Sequence, residues 1–215
     1  MTTPPSTFDE SYRSGEPPWV IDEPQPAVVD LERAGDLADP VLDLGCGTGE
    51  HTILLAGLGY RVLGVDAAPA AVERARERAR RAGVAAEFAV GDAMEPSGLG
   101  RFPTVLDSAL FHVFAAEDRA RYARALADVL VPGGQVVVLA LSTRGPGFGP
   151  QIDDDAVPAA FTAPVWTVES VRESSYRGRV THPDQAAATG RAIGELVDLP
   201  ALLARVRRAG GDGAG

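Results

Sequence analysis

The chain has 215 residues, and 20 basic side chains against 30 acidic ones give a formal charge of −10. All 20 bases are Arg and neither Lys nor Asn occurs, which excludes a Lys Schiff base, a P-loop Lys and any site built on an Asn amide. The acidic balance argues against a nucleic-acid partner, because neutralising phosphates requires clustered bases. With 45% apolar residues, the length suits one large α/β domain that can bury a full sheet. Cys46 is the single cysteine, so no intrachain disulfide can form. No basic start followed by an apolar run opens the chain, and the longest apolar run (136–141) is far too short for a membrane span. These features lead us to expect a cytoplasmic protein without a membrane partner, monomeric or weakly dimeric.

Residues 1–30 stand apart. They hold six Pro, six acids and one Arg, with the aromatics Phe8, Tyr12 and Trp19. So much Pro prevents a long helix, yet three aromatics are more than a solvated tail carries. A disordered leader and a flap docking its aromatics over a pocket are both open readings. The segment carries half of the net charge. As a lid it disfavours a polyanionic ligand and suits a neutral or cationic one.

From residue 41 the pattern is regular. Apolar runs at 41–44, 61–65, 87–90, 104–107, 135–141 and 165–171 alternate with helical stretches at 50–57, 70–82 and 117–130. In the last stretch Tyr122, Leu126, Val129 and Leu130 form an apolar helix face. Gly83 closes the second helix and Pro132-Gly133-Gly134 stops the third. Strands without polar alternation, each followed by a helix, imply a doubly wound parallel α/β sheet with ligands at the carboxyl ends of the strands. Residues 176–200 are less regular, 201–208 read as a final strand or a short helix, and 211–215 as a frayed tail. The domain is therefore expected over 31–210, behind a flap at 1–30.

The first strand runs into Asp43-Leu44-Gly45-Cys46-Gly47-Thr48-Gly49. Glycines there let the backbone approach a ligand closely, though such a loop also resembles dinucleotide-binding folds. Three acids narrow the reading. Asp43 precedes the first glycine, where a carboxylate suits a cationic amino or sulfonium group. Asp66 ends the second strand, where it can accept from both ribose hydroxyls. Asp92, in Gly91-Asp92-Ala93, ends the third strand, where it can accept from an adenine amino group.

The segments VLDLGCGTGEHT (41–52), LGVDAAP (63–69), VGDAM (90–94), TVLDSALFHVF (104–114) and LVPGGQVVVLAL (130–141) resemble the class I S-adenosylmethionine-dependent methyltransferases. The resemblance implies a seven-stranded, mostly parallel, Rossmann-like sheet. It also implies S-adenosylmethionine as cofactor and S-adenosylhomocysteine as product. It places Asp43, Gly45, Gly47 and Gly49 at the methionine part, Asp66 at the ribose, and Asp92 with Ala93 at the adenine. Trp19, Cys46, His51, Ala67 and Asp107 are expected beside the same cofactor. PPWVIDEPQP (17–26) and ALFHVFAAEDRARY (109–122) further resemble a bacterial subgroup acting on heterocyclic toxins, quinolones and reactive thiols. That subgroup's flap reads PPWDIG-x-PQP, from which Val20, Asp22 and Glu23 depart, and the stretch 178–200 is longer than usual.

Methyl transfer from a sulfonium is an in-line displacement, so positioning alone can supply roughly 7–11 kcal/mol. A strong base is needed only where the acceptor proton is hard to remove. Base-amino methylation resembles an N/D-P-P-Y motif after the fourth strand, and here that place reads Asp107-Ser108-Ala109-Leu110. The divalent-metal catechol type resembles an Asp-Asn pair that this chain lacks, so no metal is expected.

His112, between Phe111 and Phe114, is the candidate catalytic residue, as acceptor-orienting group or general base; a packed loop histidine is the alternative. His51 opens the first helix beside the cofactor loop, and His182 reads as a surface residue. Phe8, Tyr12, Trp19, Phe111, His112 and Phe148 are the expected acceptor contacts, Trp166 a core residue, and Cys46 a structural one. The reading is methyl transfer to a thiol, or to a ring nitrogen or oxygen, of a small heterocyclic molecule, for detoxification or tailoring. A non-catalytic S-adenosylmethionine sensor and a nicotinamide-dependent oxidoreductase are the alternatives.

Overall fold

The computed structural model describes residues 2, 4–146 and 148–210; the expected tail at 211–215 lies outside them. Two short helices, α1 (Pro5–Ser14) and α2 (Pro26–Arg33), precede β1 (Val41–Leu44), α3 (Glu50–Gly57), β2 (Val62–Asp66), α4 (Pro69–Ala82) and β3 (Glu87–Val90). Then come β4 (Phe102–Ser108), a 3₁₀ turn at Phe111–Val113, α5 (Ala116–Ala127) and β5 (Leu130–Leu141). The chain ends with α6 (Ala156–Ala160), β6 (Trp166–Arg179), α7 (Pro183–Thr189) and β7 (Leu196–Arg208). The seven strands form one sheet in the order β3-β2-β1-β4-β5-β7-β6, and β7 alone runs against its neighbours.

The continuous apolar runs are explained by burial on both sheet faces. Leu42, Val105 and Val136 pack in one cluster with Tyr122 and Leu126 of α5. Their neighbours Val41, Leu106 and Val137 pack in another with Val28 and Leu31 of α2 and Leu55 of α3. Parallel strands with helices on both faces leave the carboxyl ends of β1, β2, β3 and β4 along one edge, so the glycine loop, Asp66, Asp92 and Ser108 share a rim.

Several boundaries differ from the sequence reading. The third helix ends at Ala127 instead of 130, because Val129 and Leu130 are fully buried at the entry to β5. The irregular stretch at 176–200 is ordered. β6 and β7 pair from Trp166↔Arg208 to Arg179↔Leu196, with one register shift between Val168 and Ser170 and with α7 inserted at the tip. His182 caps α7: its side chain accepts from Asp184 N–H while Gln185 reaches back, a reciprocal capping box. The boundary expected at residue 30 falls inside α2.

The opening segment folds onto the body as two helices that each start at a Pro, where a missing N–H costs nothing. Its anchor is Gln25, which is 2% exposed. The Gln25 amide donates to Arg177 O (2.8 Å) and accepts from Arg177 N–H (2.7 Å), like one more rung on β6. Arg179 N–H donates to Pro18 O at 2.7 Å. Two of the flap's acids help dock it: Asp22 pairs with Arg78 (3.0 Å) and Arg179 (3.2 Å), and Glu23 with Arg177 (3.0 Å). Asp22 also holds the left-handed conformation, φ 66°, at the place where the related subgroup has Gly.

Gln25→Ala removes both bonds to Arg177 and leaves its buried N–H and C=O unpaired, a local cost of about 1–3 kcal/mol. Tryptic cleavage after Arg13 should accelerate about tenfold or more, since cutting tracks the open population. Cleavage at the wild-type rate would show that the flap is held by something other than this anchor.

Candidate functional site

A cavity of about 270 Å³ opens along the rim and is roofed by the flap. The glycine loop forms its floor. Gly45 and Cys46 N–H donate to Val65 O (2.8 and 3.0 Å), and Gly47 N–H donates to Asp66 Oδ2 at 2.8 Å. Asp66 Oδ1 accepts from Ala68 N–H at 2.8 Å, so this carboxylate pins both the loop and the start of α4 while still lining the cavity. At Gly47, with φ 54°, an added Cβ would lie 3.0 Å from the Tyr12 hydroxyl, which rests on the loop.

Of the expected contacts, Gly45, Cys46, Gly47, His51, Asp66 and Ala67 line the cavity. So do Asp92, Ala93, His112 and Phe148, and from the flap Phe8, Tyr12 and Trp19. Four do not: Asp43, Gly49, Asp107 and Phe111. Asp43 is 1% exposed behind the loop and accepts from Thr52 Oγ1 at 2.6 Å, so it acts on the cavity through its charge. Gly49 starts α3 with φ 85°, its Cβ position filled by Phe88. Asp107 is spent on the turn after β4: it accepts from Leu110 N–H (3.1 Å), Phe111 N–H (2.9 Å) and Tyr122 OH (2.8 Å). Phe111 is buried against Tyr122 and Phe161, and Trp166 is likewise buried on Phe161.

The two histidines share one arrangement. His112 Nδ1 accepts from Leu141 N–H at 3.0 Å, and His51 Nε2 accepts from Gln25 N–H at 3.1 Å. A neutral imidazole has a single lone pair, so the opposite nitrogen must carry the proton. His112 thus offers Nε2–H and His51 offers Nδ1–H, neither with a partner among the described residues. Burial pushes both pKa values down to about 4, at His112 with help from the Arg119 charge. Both are donors at neutral pH.

Among the described residues the charged groups lining the cavity are the carboxylates of Glu23, Glu50, Asp66 and Asp92, with no Arg in the lining; Glu23 pairs with Arg177 (3.0 Å) and Glu50 with Arg78 (3.1 Å), while Asp66 and Asp92 have no ion pair among those residues. Burial raises Asp43 to about 6 and raises Asp66 as well, with no cationic side chain opposing the shift. Buried carboxylates left without a counter-charge fit a cationic sulfonium or ammonium ligand, and the open glycine cradle fits a ligand lying against backbone. Cys46 is held as a thiol by burial and by the nearby Asp43, Asp66 and Glu50 charges. Past β4, Ala109 turns the chain in the left-handed region, φ 69°, at a cost of about 1–2 kcal/mol, beside Ser108, whose buried Oγ has no partner among the described residues.

Gln25, Tyr176 and Leu199 line the cavity without having been singled out in the sequence. Tyr176 was legible in part: Tyr176, Gly178 and Val180 alternate with Arg177 and Arg179, the period of a strand with one buried face.

Residues 41–134 match the family model of a methyltransferase domain. The chain is 33% identical over 178 residues to the 2-heptyl-1-hydroxyquinolin-4(1H)-one methyltransferase of Mycobacteroides abscessus, covering 76% of this chain and 78% of that protein. It is 27% identical over 135 residues to a probable thiol methyltransferase of Arabidopsis thaliana, covering 61% and 60%. A solved structure from work on the conversion of a disulfide bond into a thioacetal group during echinomycin biosynthesis superimposes with a TM-score of 0.84 at 36% identity, covering 97% and 93%.

The buried groups pull stability in opposite directions with pH. Asp43 and Asp107, raised from 3.8 to about 6, take up protons first in the folded state, so their contribution grows as pH falls from about 6 to 4. His51 and His112, lowered from 6.5 to about 4, are protonated first in the unfolded state, so theirs is lost over nearly the same window. The opposing sets should flatten the acid dependence of the ligand-free protein's melting temperature between pH 6.5 and 4.5, while a His51→Gln/His112→Gln variant, left with the raised Asp43, Asp66 and Asp107, gains stability relative to it as pH falls across that range. A variant that loses stability relative to the wild type on acidification would contradict these assignments.

Proposed function

The chain belongs to the class I S-adenosylmethionine-dependent methyltransferases and is a small-molecule methyltransferase; on that footing we propose that its acceptor is a neutral, largely apolar heterocycle or thiol that brings its own nucleophilic lone pair. The observation that carries the proposal is the state of His112. Its lone pair is committed to Leu141 N–H, so it donates Nε2–H towards the acceptor and removes no proton. The walls agree with this. Trp19, Leu110, Phe114 and Phe148 are apolar, and the lining carboxylates, with no Arg beside them among the described residues, disfavour an anionic substituent.

Bound S-adenosylmethionine supplies a methyl group on a cationic sulfur. The chain's own contribution is then placement. The docked flap excludes water, Asp43 and Asp66 favour positive charge along the floor, and His112 Nε2–H orients the acceptor heteroatom. A proton on the acceptor, where there is one, leaves to solvent before the flap closes over the site. Thiols of low pKa and ring N-hydroxyl groups fit this demand. The names of two relatives are in keeping with it: one is named for a 1-hydroxyquinolinone, and the echinomycin structure concerns chemistry at sulfur. Detoxification or tailoring of such molecules is the role we infer.

The test pairs substrates with variants. S-adenosylhomocysteine and methylated product should form from neutral N-hydroxyquinolinones or aryl thiols, and at least about tenfold more slowly from carboxylated analogues. His112→Gln keeps an N–H donor and should retain most activity, whereas His112→Ala should lose about 10–100-fold. The pH dependence of kcat/KM should follow the pKa of each acceptor. A limb at one fixed pKa for all acceptors, abolished equally by both variants, would identify His112 as a base and overturn the proposal.

A further inference from the structure

Gly178 lies inside β6, where it is buried and pairs in register with Val197 of β7. It is not among the glycines with positive φ, so its backbone does not call for glycine. A glycine inside a strand weakens the strand and marks a place that something else approaches closely. A Cβ at this position would lie 3.2 Å from Cδ2 and 3.5 Å from Cε2 of Phe148, and 3.4 Å from Pro18 O of the flap. Non-bonded carbons sit best at about 3.5–4.0 Å. The flap would therefore tolerate a Cβ, and the Phe148 ring would have to move. One edge of that ring stands where a side chain of residue 178 would be.

The ring is also held from its own side. The turn that carries it leaves β5 and returns: Thr143 N–H donates to Ile152 O (3.0 Å) and Ile152 N–H to Leu141 O (2.9 Å). The Gln151 amide ties the turn together by donating to Ser142 O (2.6 Å) and Gly145 O (2.9 Å). Phe148 and Gly178 line the cavity beside Tyr176 and Leu199. These four come from the turn after β5 and from β6 and β7. Asp66 and Asp92 stand at the ends of β2 and β3, on the other side of β1 and β4 in the sheet. The wall formed by the four therefore bounds the half of the cavity away from the cofactor acids.

On the acceptor class inferred above, we propose that Gly178 and Phe148 set the size of the acceptor. The missing Cβ lets the Phe148 ring lie against β6, which leaves room beside Tyr176 and Leu199 for the second ring of a fused bicyclic acceptor. Any side chain at position 178 takes that room, by its own atoms and through the displaced ring.

The test uses acceptor pairs matched in nucleophile and differing by one fused ring: benzenethiol with naphthalenethiol, and N-hydroxypyridinone with N-hydroxyquinolinone. Wild-type protein should prefer the two-ring member at least about tenfold in kcat/KM, and Gly178→Ala should remove most of that preference. In a Phe148→Ala background the same Gly178→Ala change should leave the preference where Phe148→Ala alone puts it, because the ring that must move is gone. Calorimetry with S-adenosylhomocysteine and melting curves check that cofactor binding and folding persist. An unchanged preference in Gly178→Ala, or an equal drop with and without Phe148, would overturn the proposal. So would loss of cofactor binding or of folding, which would tie the glycine to the crossing of the flap. Quenching of Trp19 fluorescence reads acceptor binding without turnover. The same ring-dependent pattern in binding, with no methyl transferred, would sink the acceptor chemistry proposed above and leave the size wall standing.

Discussion

The bond from Gln25 N–H to His51 Nε2 joins the three parts that make the cavity. Gln25 is the last residue before α2, His51 lies in the first turn of the helix that follows the glycine loop, and the Gln25 side chain completes a rung on β6 at Arg177. A single buried residue therefore fixes the flap to the helix after the glycine loop and to the β6–β7 hairpin. Buried polar groups left unpaired cost more than paired ones gain, so releasing the flap exposes several at once. Closure is held by hydrogen-bond geometry, joined by the ion pairs of Asp22 and Glu23 with Arg78, Arg177 and Arg179.

The same device recurs at His112. In both places a backbone N–H consumes the imidazole lone pair, and the ring is left as a neutral donor facing the cavity. Catalytic sites that remove protons are usually built the other way round, with a carboxylate or carbonyl accepting from the ring so that its lone pair faces the substrate. Here the negative charge lies on the floor, at Asp43 and Asp66, where it suits a cation. On the function proposed above, such a site holds charge in place and leaves proton removal to the acceptor's own acidity.

The parts legible in the sequence were those set by backbone needs. The glycine loop, Asp66 at the end of β2 and the alternation of buried strands with helices each follow from local chemistry, and the sheet order places them on one rim. What escaped was set by partners distant in the chain. Asp107 read as a cofactor contact because it ends a strand at the rim, yet its carboxylate is taken by the turn at Leu110 and Phe111 and by Tyr122. The acids of residues 1–30 suggested an acidic lid over the ligand; Glu23 does line the cavity, while both it and Asp22 are paired with arginines on α4 and β6. Residues 176–200 looked irregular because charged and small side chains alternate along an edge strand, where only pairing with β7 reveals the strand.

That both cavity histidines present a donor and no lone pair is testable at the atoms concerned. Nitrogen-15 NMR of the imidazole rings reports which nitrogen carries the proton and where each ring titrates. His112 should appear as the Nε2–H tautomer and His51 as the Nδ1–H tautomer, both neutral from pH 5.5 upward. A His112 ring in the Nδ1–H form, or one that titrates near pH 7, would put a lone pair in the cavity and contradict the account.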